Sequence, residues 1–153
     1  MLEPGTAIPK LKGTTTDGSV IDLATLRGHW VVVYFYPKDN TPGCTTEAQE
    51  FRDLAAKFKK RNAVIIGVSR DSVKSHHNFT CKYELPFALV SDADEAWCKA
   101  FDVIHEKVLY GRRYLGIVRS TFLIDPKGKL AEAWRGVKVA GHAQAVLGSI
   151  PSA

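Results

Sequence analysis

Hydrophobic positions along the chain change their period several times, and each change marks an element. Trp30 to Tyr36 (WVVVYFY) is an unbroken β-branched and aromatic run, too short for a typical helix and apolar enough for a strand covered on both faces. From Cys44 to Lys60 the apolar or small groups fall at Cys44, Ala48, Phe51, Ala55 and Phe58. Those steps of three and four line one face of an amphipathic helix. A second apolar run, Ala63 to Val68 (AVIIGV), follows at once. Strand, helix and strand with short connections make a right-handed βαβ unit, so the two strands are expected to be parallel neighbours in one sheet.

Further along, the pattern predicts a helix from Ser72 to about Tyr83, a short strand near Phe87 to Val90, and a helix from Asp94 to Phe101. Val118 to Ile124 and Leu130 to Trp134 flank Asp125-Pro126-Lys127-Gly128, a turn composition that predicts a hairpin. A last helix starts near Gly141, with Ala143, Val146, Leu147 and Ile150 as its stripe. Asp17-Gly18 marks a small N-terminal hairpin. This order predicts an α/β chain of thioredoxin-like fold: a central mixed sheet flanked by helices, with the N-terminal β-hairpin as an extension. There is no repeat, low-complexity tract or linker, so a single domain over residues 1–153 is expected.

Composition narrows the function. With 45% hydrophobic and 24% charged residues the chain is ordinary for a globular protein and too apolar for disorder. The first five residues, MLEPG, carry neither a positive lead nor an apolar stretch, and no later apolar run approaches the roughly 18 residues that span a bilayer. The expectation is no membrane partner and a cytoplasmic location, although a periplasmic form already stripped of a leader reads the same. The net charge of +5 is scattered, with Lys59-Lys60-Arg61 and Arg112-Arg113 as its short clusters, which argues against nucleic-acid binding. Three cysteines, Cys44, Cys81 and Cys98, are too few and too odd in number for a disulfide scaffold. They suit redox chemistry better.

The loop beyond the carboxyl end of a strand is where α/β sheets bind ligands. Here that loop reads Pro37-Lys38-Asp39-Asn40-Thr41-Pro42-Gly43-Cys44 and runs into a helix. Unpaired N–H groups and the positive end of the helix dipole favour an anion at Cys44, and the thiolate is the nucleophilic form.

Pro37, Thr41 and Cys44, within the wider run YFYPKDNTPGCTTEAQEFRD, resemble the motif of peroxiredoxins, in particular the peroxiredoxin Q group, also called bacterioferritin comigratory protein. The resemblance continues through Val90-Ser91-Asp92, Arg119 to Asp125 (RSTFLID) and Val137 to His142 (VKVAGH). It implies a thiol-dependent peroxidase that reduces hydrogen peroxide and small organic hydroperoxides without metal, haem or flavin. Cys44 is then the peroxidatic nucleophile, which becomes a sulfenic acid. Thr41 hydrogen-bonds the thiolate and the bound peroxide, Pro37 shields the sulfenate, and Arg119 stabilises thiolate and developing charge. Glu47, one turn into the helix, orients that arginine. The implied reductant is thioredoxin, with glutaredoxin or glutathione as alternatives, and the implied state is a monomer.

Many members of the group carry a second cysteine five residues after the first, where this chain has Gln49. Others place it on the next helix, where Cys81 stands, and this implies an intramolecular Cys44–Cys81 disulfide. Cys98, in Ala96-Trp97-Cys98-Lys99-Ala100, reads as a small buried residue, with the resolving role as its alternative. His77 and Cys81, four apart, have the spacing of two metal ligands, but two further ligands are not evident. A disulfide oxidoreductase would carry Cys-x-x-Cys at this junction, whereas Cys44 is followed by Thr45-Thr46-Glu47. A peroxide sensor would begin with the same sulfenic acid and stays open.

Overall fold

The computed structural model describes residues 2–152. Two short strands, β1 (Lys12–Thr15) and β2 (Val20–Asp22), pair antiparallel around the Asp17-Gly18 turn and form the expected N-terminal hairpin. A 3₁₀ turn over Leu23–Leu26, capped by the Asp22 carboxylate, leads to β3 (Trp30–Phe35). Helix α1 follows over Pro42–Lys60, then β4 (Ala63–Ser69), and β3 and β4 are parallel in register from Trp30↔Ala63 to Phe35↔Val68. The first βαβ unit is therefore as the pattern predicts. Helix α1 begins two residues earlier than its apolar stripe, because Pro42 occupies a first-turn position where its preset φ and missing N–H cost nothing.

Helix α2 (Val73–Tyr83) is capped by Ser72, whose hydroxyl accepts from the Ser75 N–H, and β5 (Ala88–Ser91) adds in parallel to β4. Helix α3 spans Ala96–Ala100 alone, shorter than the predicted Asp94 to Phe101. The cause is Asp92, whose carboxylate accepts from the N–H groups of Trp97 and Cys98. Glu95 also takes a left-handed conformation (φ 63°), so residues 94 and 95 stay in the turn. After it comes a hairpin the hydrophobic pattern does not show, β6 (Ile104–Leu109) with β7 (Arg112–Ile117). The predicted C-terminal hairpin is β8 (Ser120–Ile124) with β9 (Leu130–Arg135), and α4 (His142–Gly148) closes the fold.

The main sheet has seven strands in the order β2-β1-β5-β4-β3-β8-β9, with β4 in the middle and β3 next to it, between parallel β4 and antiparallel β8. Strand pleating sends alternate side chains to opposite faces. Val32, Tyr34 and Tyr36 pack with Cys44, Ala48, Phe51 and Phe58 of α1, Phe79 of α2 and Val146 and Leu147 of α4. Val31, Val33 and Phe35 pack on the other face with Trp97, Cys98, Phe101 and Phe122. Helices thus cover both faces of a mixed sheet, the thioredoxin-like arrangement.

Candidate active site

The candidate loop leaves the carboxyl end of β3 and enters α1 at Thr41, the N-cap residue. The first helical bond runs from the Thr45 N–H to the Thr41 carbonyl at 2.8 Å, which leaves the N–H groups of Gly43 and Cys44 outside the helical ladder. Cys44 therefore sits in the first turn with unpaired donors and the positive dipole end beside it. Its side chain is buried, 2% exposed.

Arg119 stands one residue before β8, whose Ser120 pairs with Phe35 at the end of β3. That pairing carries the guanidinium to the start of α1, although 75 residues separate it from Cys44. Its Nη2 donates to Cys44 Sγ at 3.3 Å and its Nη1 to Glu47 Oε1 at 2.6 Å. Gly43 leaves room for this approach: a Cβ there would lie 3.2 Å from Nη2, a tight contact that would press the guanidinium back by a few tenths of an ångström. Burial works against the charge of Arg119, but Glu47 and Cys44 outweigh it and raise its pKa above the usual value. The arginine is a fixed cation aimed at the sulfur.

Glu47 feels opposing forces. Burial pushes its carboxyl up to about 7, against the pull of Arg119. Burial wins because the side chain is 1% exposed and Oε2 has no partner, whereas Arg119 keeps some access to water. Since the folded-state value lies above the usual 4.5, the folded protein retains a proton that the unfolded chain has released. Its stabilising effect is complete below 4.5 and is lost as the pH rises through about 7. Over that window the wild type is expected to lose on the order of 3 kcal/mol that Glu47→Gln does not lose. Urea unfolding at a series of pH values measures the difference, and parallel curves for the two proteins would refute it.

The other expected residues fall around this centre in different ways. Pro37 is half-buried just past β3. The Thr41 hydroxyl donates to the Lys38 carbonyl at 2.8 Å, within the loop. Gln49 lies on α1, half-buried. Cys81 is exposed on α2, its Sγ 3.7 Å from His77 Nε2, and no third ligand-type side chain joins that pair among the described residues. Cys98 is fully buried on the opposite face of the sheet from Cys44. Burial and then Asp92 push its thiol far up, which keeps it inert.

Sequence reasoning passed over three groups near the site. Lys107 on the β6–β7 hairpin has its pKa lowered by burial and by Arg119. His142 is brought down to about 4 by burial and Arg119, so it is neutral at pH 7, with Nε2 2.7 Å from the Thr121 hydroxyl. Asp39, four residues after Phe35, is 6% exposed and bonded to His76 of α2.

A buried thiol beneath an arginine, on this sheet and at a helix start, defines a thiol-based redox enzyme that has no cysteine partner on its own first turn. Residues 4–133 match the AhpC/TSA family. Peroxiredoxin Bcp of Xanthomonas campestris is 55% identical over 150 residues, covering 98% of this chain and 94% of that protein. Peroxiredoxin Bcp of Bacillus subtilis is 47% identical over 146 residues, 95% of this chain and 93% of the other. The solved X. campestris bacterioferritin comigratory protein, studied for its alkyl peroxide reduction activity, superposes with a TM-score of 0.89 at 54% identity over 98% of this chain and 96% of that one. The chain belongs to the AhpC/TSA family, within its peroxiredoxin Q group, and is a thiol-dependent peroxidase.

Proposed function

We propose that Cys44 is the peroxidatic cysteine, that Arg119, Thr41 and Pro37 form its peroxide pocket with Glu47 as the positioning residue, and that Cys81 resolves the sulfenic acid. The observation that carries this reading is the pair of bonds from one guanidinium, to Cys44 Sγ and to Glu47. In the first step the Cys44 thiolate attacks the terminal oxygen of the peroxide. An S–O bond forms, the O–O bond breaks, and the second oxygen leaves as water or an alcohol once it takes up a proton. Negative charge grows on that leaving oxygen, and a donor fixed before the reaction starts stabilises it without reorganisation. The Thr41 hydroxyl, which donates to the Lys38 carbonyl at 2.8 Å, becomes the second donor to the bound peroxide by turning its one proton away from that carbonyl.

In the second step the Cys81 thiolate attacks the sulfur of the Cys44 sulfenic acid. An S–S bond forms, the S–O bond breaks, and the oxygen leaves as water. Position supports Cys81 over Cys98. Cys81 lies on α2, which packs on the same face of the sheet as Cys44, and it is exposed. Cys98 would have to cross the sheet. An external dithiol then returns the disulfide to two thiols, with thioredoxin as the donor and the cytoplasm as the compartment that keeps it reduced. Hydrogen peroxide and small organic hydroperoxides fit a recessed thiol, and the alkyl peroxide reduction described for the X. campestris relative fits the same pocket.

Peptide mapping after one equivalent of peroxide tests the resolving step. The expected product is a Cys44–Cys81 disulfide with Cys98 still a free thiol. Sulfenic or sulfinic Cys44 beside free Cys81 would overturn it.

A further inference from the structure

Asp39 lies between β3 and α1, on the loop that delivers Cys44, and its carboxylate is almost wholly buried, 3% exposed. Three donors converge on it. Tyr36 Oη gives to Oδ1 at 2.5 Å, Ser75 Oγ to Oδ2 at 2.8 Å, and His76 Nδ1 to Oδ2 at 2.7 Å. Its main-chain N–H donates to Asp71 Oδ2 at 2.9 Å, an oxygen that also accepts from Ser69 Oγ. Ser75 and His76 belong to the first half of α2, the helix that bears Cys81.

His76 is itself fully buried, and its second nitrogen, Nε2, faces the Val90 carbonyl at 3.0 Å. Each ring nitrogen thus has an oxygen within hydrogen-bond distance, Asp39 Oδ2 on one side and the Val90 carbonyl on the other. A buried polar contact of that kind is strongly felt when one partner is lost, because the other is left unpaired away from water. The next residue, Asn40, reaches the other end of the same helix, where its Oδ1 accepts from Tyr83 Oη at 3.2 Å. Arg52 of α1 holds that end as well, donating to the Tyr83 carbonyl at 2.9 Å. Asp39, Asp71 and His76 also lie close enough together to hold a cation. Each is already engaged within the protein, which makes the group a clasp between two segments.

We propose that the Asp39–Ser75–His76 clasp makes the Cys44 loop and helix α2 one unit, and that its release sets the rate at which Cys81 reaches the Cys44 sulfenic acid. Asp39 and His76 are thus positioning residues that act through Cys44 and Cys81. With the clasp closed, Cys44 is buried in the attacking arrangement and Cys81 faces solvent. One sulfur is buried at the start of α1 and the other exposed on α2, so bringing them into bonding distance takes release of the first turns of α2, or of the loop. A tighter clasp gives the sulfenic acid longer to meet a second peroxide and become sulfinic, with water or an alcohol leaving. This inference rests on Cys81 being the resolving cysteine.

The test separates the half-reactions in single turnover. Peroxide consumption gives the attack rate, and acid-quenched peptide mapping gives the rate of disulfide formation. Ser75→Ala removes one donor without stranding a buried charge, and Asp39→Asn removes the charge itself. Ser75→Ala is expected to speed disulfide formation about tenfold, as the loss of one hydrogen bond to a charged group allows. It should leave attack within about twofold and lower the sulfinic fraction at high peroxide. Asp39→Asn should speed disulfide formation further and slow attack. Amide exchange over residues 73–83 should accelerate in both variants, and in Ser75→Ala carrying Cys81→Ser. Unchanged exchange, or faster exchange with no faster disulfide, overturns the clasp. A wild-type map without the Cys44–Cys81 disulfide instead overturns the resolving role, while exchange still decides whether the clasp holds the helix.

Discussion

Arg119→Met is expected to lower kcat/KM for hydrogen peroxide by about 10²- to 10³-fold, the usual loss when one preorganised donor to a developing oxyanion is removed. Cys44→Ser is expected to leave no turnover at all. The arginine effect follows from its two bonds, which aim a full positive charge at the sulfur from a fixed direction. Methionine approximates the length of the stem and keeps none of the charge. Arg119→Lys restores the charge but cannot hold Glu47 and Cys44 together through one planar fork, so it should recover only part of the loss. Without the arginine the buried Glu47 keeps its proton to higher pH, which moderates the folding cost. Thermal unfolding therefore belongs beside the thioredoxin-coupled peroxide assay. A folded Arg119→Met enzyme within about threefold of wild type would remove the arginine from the site, and retained turnover in Cys44→Ser would defeat the peroxidatic assignment.

The second large effect is on stability. Phe51→Ala is expected to cost about 3–5 kcal/mol, read as a lower urea midpoint with an unchanged slope. Phe51 is wholly buried in the middle of α1. Its ring stacks on Tyr34 of β3 at 4.7 Å between centroids, meets Phe58 at 5.8 Å and turns its edge to His142 at 6.2 Å. It seats the helix whose first turn holds Cys44. The peroxide rate of the variant should fall even where it stays folded, since a misplacement of about 1 Å at the reacting atom is enough to be felt. A cost below about 1 kcal/mol would mean that α1 is anchored elsewhere.

What could be read from the sequence had local causes. Trp30 to Tyr36, the Cys44 to Lys60 stripe and Ala63 to Val68 each announce themselves through period alone, and the structure sets them as a parallel pair with a crossing helix. The β6–β7 hairpin does not announce itself. Its exposed faces carry Val108, Leu109, Tyr114 and Leu115, so there is no apolar-in, polar-out alternation to find. Its turn is made by Tyr110 and Gly111, with φ of 51° and 75°. That is the geometry Asn-Gly usually signals, and tyrosine hides it. Arg119 next to Cys44 could be expected only from resemblance, because β8 brings the two together from 75 positions apart. Asp39 and His76 were hidden for another reason. A charged side chain in a loop ordinarily faces water, and nothing in Lys38-Asp39-Asn40 shows that three donors will bury this one.

The alternation along β3 has a consequence for how such a chain can change over time. Tyr34 and Tyr36 belong to the half-core that holds Cys44, while Val33 and Phe35 belong to the half-core around Trp97. The strand works as a partition wall with a catalytic room on one side and a purely structural room on the other. Substitutions accumulating behind the wall can tune thermal tolerance while the nucleophile's neighbours stay as they are, so adaptation to a new habitat and retention of chemistry need not compete for the same residues.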